Sequence, residues 1–189
     1  FCDYHVGAYR YHIVLAKNDS NEIIGGAIFG YYTFENSGVI EFISIKEEYQ
    51  SKGYGDILYN RVSCLLSIDS CLSFNKGLSA IYCEIDSPGT NSDTKYLNFW
   101  HKHNYKHLMF NYIQPSISLF KRPVTNLWLI AKSVSGEDIT PHKVLNILNN
   151  YFIFGIGIRD IFRNKEYIKI REELDDKDYI ELEDIIDNS

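Results

Sequence analysis

Two carboxylates, Glu41 in VIEFISIK and Glu84 in IYCEID, each stand inside an apolar run with strand character. By position alone each reads as a solvent-facing strand carboxylate. Between the two runs lies QSKGYGDIL, residues 50–58, directly after one strand pattern and directly ahead of a helical one. A strand feeding a glycine-rich turn that opens a helix aims several backbone N–H groups one way. The helix start adds a positive partial charge, and the combination suits a phosphate. Gly53 and Gly55 let the backbone approach an anion with no Cβ in the way, and Lys52 can add a point charge. The natural guest is a nucleotide-type pyrophosphate. Neither GxxxxGK[ST] nor GxGxxG is present, so this is not a P-loop or a dinucleotide fingerprint. The plain alternative is a glycine-ended strand followed by an ordinary helix.

The elements that must position these residues follow from hydrophobic period and turn chemistry. YHIVLAK (11–17), EIIGGAIFGYYTF (22–34) and VIEFISIK (39–46) read as three strands joined by the turns NDSN and ENSG, an antiparallel meander. Ile57, Leu58, Val62, Leu65, Leu66 and Leu72 recur at helical spacing over about 55–75, and Gly77 is expected to cap that helix in a left-handed conformation. LSAIYCEID (78–86) is a strand, SPGTNSD (87–93) a loop and TKYLNFWHKHN (94–104) a short helix. YKHLMFNYI (105–113) and NLWLIAKSV (126–134) are strands around a two-proline loop. Thr140 and Pro141 open a further helix with the stripe Val144, Leu145, Leu148, Tyr151 and Phe152. Beyond 156 the pattern is mixed, with some helical character. The expected architecture is α/β: a mixed, mostly antiparallel twisted sheet flanked by helices, with a C-terminal helical extension. Its expected organisation is a core over 1–134 and an extension with an acidic tail over 135–189.

Composition narrows the function classes. With 45% hydrophobic and 15% aromatic residues the chain can bury a core. It has no run of 18 apolar residues, so no membrane span is expected. Residues 172–189 hold nine acids against Lys177 alone, a net −8, while the rest carries 16 acids and 18 bases, about +2. A near-neutral body gives no case for nucleic-acid binding. The tail reads as a solvated acidic end or as a cover for a cationic surface. Cys2, Cys64, Cys71 and Cys83 have no CxxC or CxxH spacing, so free thiols in a reducing, cytoplasmic setting are expected and zinc is not. His101, His103 and His107 cluster around the short helix without a metal-ligand pattern.

Gln50-Ser51-Lys52-Gly53-Tyr54-Gly55 resembles the [QR]xxGx[GA] pyrophosphate loop of the GNAT superfamily of N-acetyltransferases. FISIKEEYQSKGYG is similar to that family's fourth strand running into the loop, IYCEID to its fifth strand, and FWHKHNYK to its short helix and turn. The likeness covers about residues 11–134 in the same order of elements. It implies acetyl-CoA as co-substrate, contacted by Gln50, Ser51, Lys52, Gly53, Tyr54, Gly55 and Asp56. It also implies backbone contacts from Ile43, Ser44 and Ile45, because in the family the pantetheine arm lies between the fourth and fifth strands. Family members normally carry a further strand and helices ahead of the hairpin; here residues 1–10 precede it, so that part is removed or reduced.

The chemistry implied is acetyl transfer to a primary amine by direct attack in a ternary complex. Such an amine, with pKa near 10.4, is neutral in only about one molecule per thousand or so at pH 7, so a base is required. By resemblance that base is Glu84, with Glu41 the second candidate. Trp100 stands where the family often has a tyrosine acid, and an indole is a poor acid. It either packs against the cofactor or fills the core, and Tyr112 becomes the substitute acid. Asn104 replaces a usual glycine and still tolerates a left-handed backbone. The acceptor is a small-molecule or protein amine, and the extension is free to shape the acceptor site, cover a sheet edge or form a homodimer. A catalytically weak or inactive acyl-CoA-binding module is the alternative, and a nucleotide binder unrelated to CoA the weaker third reading.

Overall fold

A computed structural model describes residues 9–74, 76–88, 94–116 and 121–186. The chain forms two compact units, Phe1–Ile81 and Tyr82–Ser189. Strand and helix order match the expected mixed α/β architecture, with antiparallel pairing wherever strand register is defined.

In the first unit β1 (Tyr9–Lys17), β2 (Ile23–Tyr32) and β3 (Ser37–Ile45) form the antiparallel meander. The turns between them use Asn21 (φ 64°) and Asn36 (φ 48°), the residue type best suited after glycine to a left-handed backbone. Pairing of β2 with β3 slips between Ile28 and Phe29: Ile28 faces Phe42 and Phe29 faces Ile40, so Glu41 is the extra residue of a β-bulge. A 3-10 turn, Glu47–Tyr49, leads from β3 to α1 (Tyr54–Phe74). Leu58, Val62 and Leu66 are buried on α1 at four-residue intervals, each contributing roughly 1.5–3 kcal/mol. Ile57 and Leu72, expected in the same stripe, are mostly exposed.

The expected left-handed cap at Gly77 is not formed. The helix ends by Phe74 and the Gly77 backbone lies outside the left-handed region. The end is organised instead by buried Asn36. Its Oδ1 accepts from Ser70 Oγ (2.6 Å) and Tyr31 Oη (2.9 Å), and its Nδ2 donates to the Gly77 carbonyl (2.8 Å). A side chain that spends donors and acceptors in this way replaces the backbone closure that a C-cap glycine provides.

The strand β4 (Ala80–Asp86) begins in the first unit and runs mostly in the second. There it is followed by α2 (Thr94–Lys102), β5 (Lys106–Leu108) and β6 (Leu127–Ser133), with the strand order β4-β6-β5. Asn104 stops α2 at φ 61°, and the Tyr105 N–H returns to the Trp100 carbonyl (3.1 Å), so asparagine does supply the left-handed turn. The expected strand 105–113 is shorter: after Leu108 the chain leaves the ladder in two tight turns, Phe110 N–H to Leu108 O and Tyr112 N–H to Phe110 O.

Thr140 caps α3 (Pro141–Asn150) by accepting from Lys143 N–H (3.3 Å), with Pro141 in the first turn as expected. Val144, Leu148, Tyr151 and Phe152 are buried with Ile147, while Leu145 is only half-buried. Residues Tyr151–Gly155 widen into a single π-helical turn, and α4 (Lys165–Asp175) follows with Asn164 as its cap. Part of the acidic tail becomes β7 (Leu182–Asp184), which pairs antiparallel with β5 and sets Asp184 beside Lys106 in an ion pair. The extension therefore covers the edge of β5.

Candidate functional site

In the first unit the turn before α1 is open and exposed. Ser51 (φ 57°) and Gly53 (φ 86°) both take left-handed backbone, and a Cβ built on Gly53 would meet nothing within 4 Å. Where α1 begins, the Ile57 N–H bonds to the Gly53 carbonyl (3.2 Å). Gln50 folds back, its Nε2 donating to Ile45 O (2.9 Å), which ties the loop to the end of β3. Lys52 donates to Glu48 O (2.8 Å) and lies 5.5 Å from the Tyr49 ring centre. Tyr54 stacks edge-on against Tyr49 at 6.1 Å, and Gly55 and Asp56 are half-buried. An exposed turn with left-handed backbone at Ser51 and Gly53, and open space where a Gly53 side chain would stand, lets an anion approach the backbone closely.

Along β3, Ile43, Ser44 and Ile45 pair with Ala27, Gly26 and Gly25. Gly25 is required there, since a Cβ would lie 2.5 Å from both the Ser44 carbonyl and an Ile45 methyl. Glu41, the bulge residue, is half-buried and accepts from Tyr9 Oη (3.2 Å). Burial raises its pKa above the usual carboxylate range, while the Tyr9 hydrogen bond opposes that rise.

The second unit holds the other expected carboxylate. Glu84, half-buried on β4, accepts hydrogen bonds from three side chains: Tyr112 Oη on Oε1, and Gln114 Nε2 (2.6 Å) and Tyr151 Oη (2.9 Å) on Oε2. Tyr112 is buried, and burial followed by the Glu84 charge pushes its phenol well above the ordinary value of 10. The phenol is thus protonated through the neutral range and spends that proton on Glu84. Handing it to a thiolate of pKa near 8.5 is an uphill transfer. Trp100 is fully buried, its ring packed among Tyr96 (6.1 Å), Phe99 (5.1 Å) and Tyr105 (4.9 Å).

Gln114 and Tyr151 were not foreseen as site residues. Tyr151 shows in the sequence only as one member of an apolar stripe, and Gln114 as one polar residue in a proline-containing loop. Neither carries a spacing signal, because 30 and 67 residues separate them from Glu84. Of the histidines, His107 stacks on Trp128 at 4.0 Å, and among the described residues no three His, Cys, Asp or Glu side chains group to hold a metal ion. Cys64 and Cys71 are free and exposed, Cys83 free and buried; Cys2 lies outside the described residues. Among the described residues no helix is long and apolar enough to cross a membrane.

Residues 1–105 match the family model for the acetyltransferase (GNAT) family. No curated protein matches the chain by sequence. Among solved structures, a protein of Bacteroides thetaiotaomicron assigned to the GNAT family aligns with TM-score 0.56 at 15% identity, over 82% of this chain and 77% of that one. An assigned GNAT protein from Desulfovibrio desulfuricans aligns with TM-score 0.49 at 17% identity, over 66% and 69%. The ribosomal-protein-S18-alanine N-acetyltransferase of Escherichia coli aligns with TM-score 0.45 at 15% identity, over 68% and 74%. At 15% identity the Bacteroides thetaiotaomicron alignment speaks to the fold alone, and the family match covers more than half of the chain. The chain belongs to the GNAT family of acetyltransferases, whose chemistry is acyl transfer from acetyl-CoA to an acceptor.

Proposed function

We propose that the protein is an N-acetyltransferase that moves an acetyl group from acetyl-CoA to a primary amine while both substrates are bound. The observation that carries this reading is Glu84, an ionisable carboxylate held by three donors on the strand of the family's fifth position. Glu84 takes the proton that the attacking ammonium must lose. The new bond joins amine nitrogen to acetyl carbon, the carbon–sulfur bond breaks, and sulfur leaves as thiolate. Supplying the neutral amine costs about 4–5 kcal/mol at pH 7 without such a base. The Gln50–Asp56 turn holds the diphosphate through its amides, with Lys52 adding charge, and the backbone of Ile43, Ser44 and Ile45 holds the arm that carries the thioester. Glu41 is the second candidate for the base, favoured by burial that brings its pKa closer to the working range.

Thiol release from acetyl-CoA, followed with a panel of primary amines, tests the reading. Glu84→Gln should lower kcat by about 10²–10⁴-fold and leave coenzyme A affinity unchanged by calorimetry. Loss in Glu41→Gln instead, with Glu84→Gln active, reassigns the base. Coenzyme A binding without thiol release under any amine favours an acyl-CoA-binding module and overturns the enzymatic reading.

A further inference from the structure

Tyr112, Gln114 and Tyr151, which donate to Glu84, lie beyond residue 105, outside the stretch that matches the family model. Tyr151 and Gln114 converge on one carboxylate oxygen, Oε2, from opposite chain contexts. Tyr151 closes α3, its N–H bonded to the Ile147 and Leu148 carbonyls, and its carbonyl accepts from Ile156 N–H (3.0 Å) across the π-helical turn. The ring is buried beside Phe152 at 5.7 Å. Gln114 is held by a two-bond bridge to Val124, each N–H 3.0 Å from the other's carbonyl. Glu173 of α4 supports the same segment, since both of its carboxylate oxygens accept from the Asn111 N–H (3.2 and 3.1 Å), one residue before Tyr112.

Two donors on Oε2 leave the carboxylate little freedom to rotate, because either rotation breaks a bond to a side chain whose own backbone is pinned. Both donors also bond more strongly to the charged carboxylate than to its protonated form. We infer that Tyr151 and Gln114 are positioning residues for Glu84, so that the C-terminal half of this chain orients the carboxylate and sets the pH range over which it works. This rests on Glu84 being the proton acceptor proposed above. Among the described residues, the titratable groups near that carboxylate include Cys83 on its own strand, Tyr112 ahead of Gln114, and Tyr151.

The test uses the full chain labelled with ¹³Cδ-glutamate, the Glu84 resonance being identified by its loss in Glu84→Gln. In Tyr151→Phe, which removes one hydroxyl from a buried ring, the Glu84 titration midpoint should move to higher pH. The rising limb of kcat, read by thiol release from acetyl-CoA with spermidine, tyramine or a lysine-containing tripeptide, should move the same way. At neutral pH kcat should fall about tenfold, with KM for acetyl-CoA unchanged. Gln114→Leu should shift the same midpoint and carries the test if Tyr151→Phe does not fold. A midpoint that stays at the wild-type value in a folded variant overturns the positioning role, while loss of turnover in Glu84→Gln still upholds the base. Full turnover in Glu84→Gln overturns both.

Discussion

Gly53 shows how one residue can carry a binding claim. Its φ of 86° is open to glycine and strained for a β-branched side chain, yet the space around it is empty. Gly53→Val therefore meets no steric wall, and its cost, about 1–3 kcal/mol, falls on the backbone conformation that aims the loop amides. Calorimetry should show coenzyme A affinity reduced at least about tenfold, with the melting temperature lowered only slightly. Unchanged affinity would remove the loop from the binding site. At the same scale Tyr112 illustrates a role redirected by its neighbour: beside Glu84 its hydroxyl is a donor to a carboxylate, and its raised pKa makes it a weaker acid than a lone phenol. Tyrosine identity was legible in the sequence, but that partner was not.

At the scale of elements, the end of α1 and the β2–β3 turn are held by Asn36 rather than by glycine geometry at Gly77. Asn36→Gly keeps a backbone suited to φ 48° and removes only the side chain, so it isolates the hydrogen-bond hub from strain. With Tyr31 and Ser70 losing a shared acceptor in a buried place, the variant should be destabilised by roughly 2–4 kcal/mol in urea unfolding. A loss below about 0.5 kcal/mol would mean that water replaces the hub at no cost. The Thr140 cap and the Asn104 stop were readable in advance because each acts within a few residues of itself. Asn36 was not, because its partners Ser70 and Gly77 lie 34 and 41 residues away.

At the scale of the whole molecule, the pH response of stability has a specific source in His107. On β5 it is buried against Trp128 of β6 and pairs in register with Glu183 of β7, and burial lowers its pKa to about 4. The unfolded chain, with an ordinary histidine near 6.5, binds a proton that the native His107 refuses. The stabilisation tied to neutral His107 is therefore complete above about pH 6.5 and is lost as pH falls toward 4. Between pH 7 and pH 4.5 that loss is on the order of 2 kcal/mol. Urea midpoints between pH 7 and pH 4.5 should fall in the wild type and fall less in His107→Phe. An equal fall in both would assign the acid sensitivity to the carboxylates.

Local order in this protein came from its sequence: the meander, the long helix behind a glycine turn, the Thr140–Pro141 start and the left-handed Asn104 all rest on short-range sterics and hydrophobic period. Those same features marked the glycine turn at 50–56 and the two strand carboxylates as candidates. Tertiary structure alone decided which groups surround Glu84, that Trp100 is enclosed, and that an acidic tail supplies a strand to β5. The physical reason is that a hydrogen bond across 67 residues leaves no periodic trace. A tyrosine that only fills a helix stripe and one that also donates to a carboxylate, as Tyr151 does to Glu84, obey the same hydrophobic pattern, and only the packed chain distinguishes them.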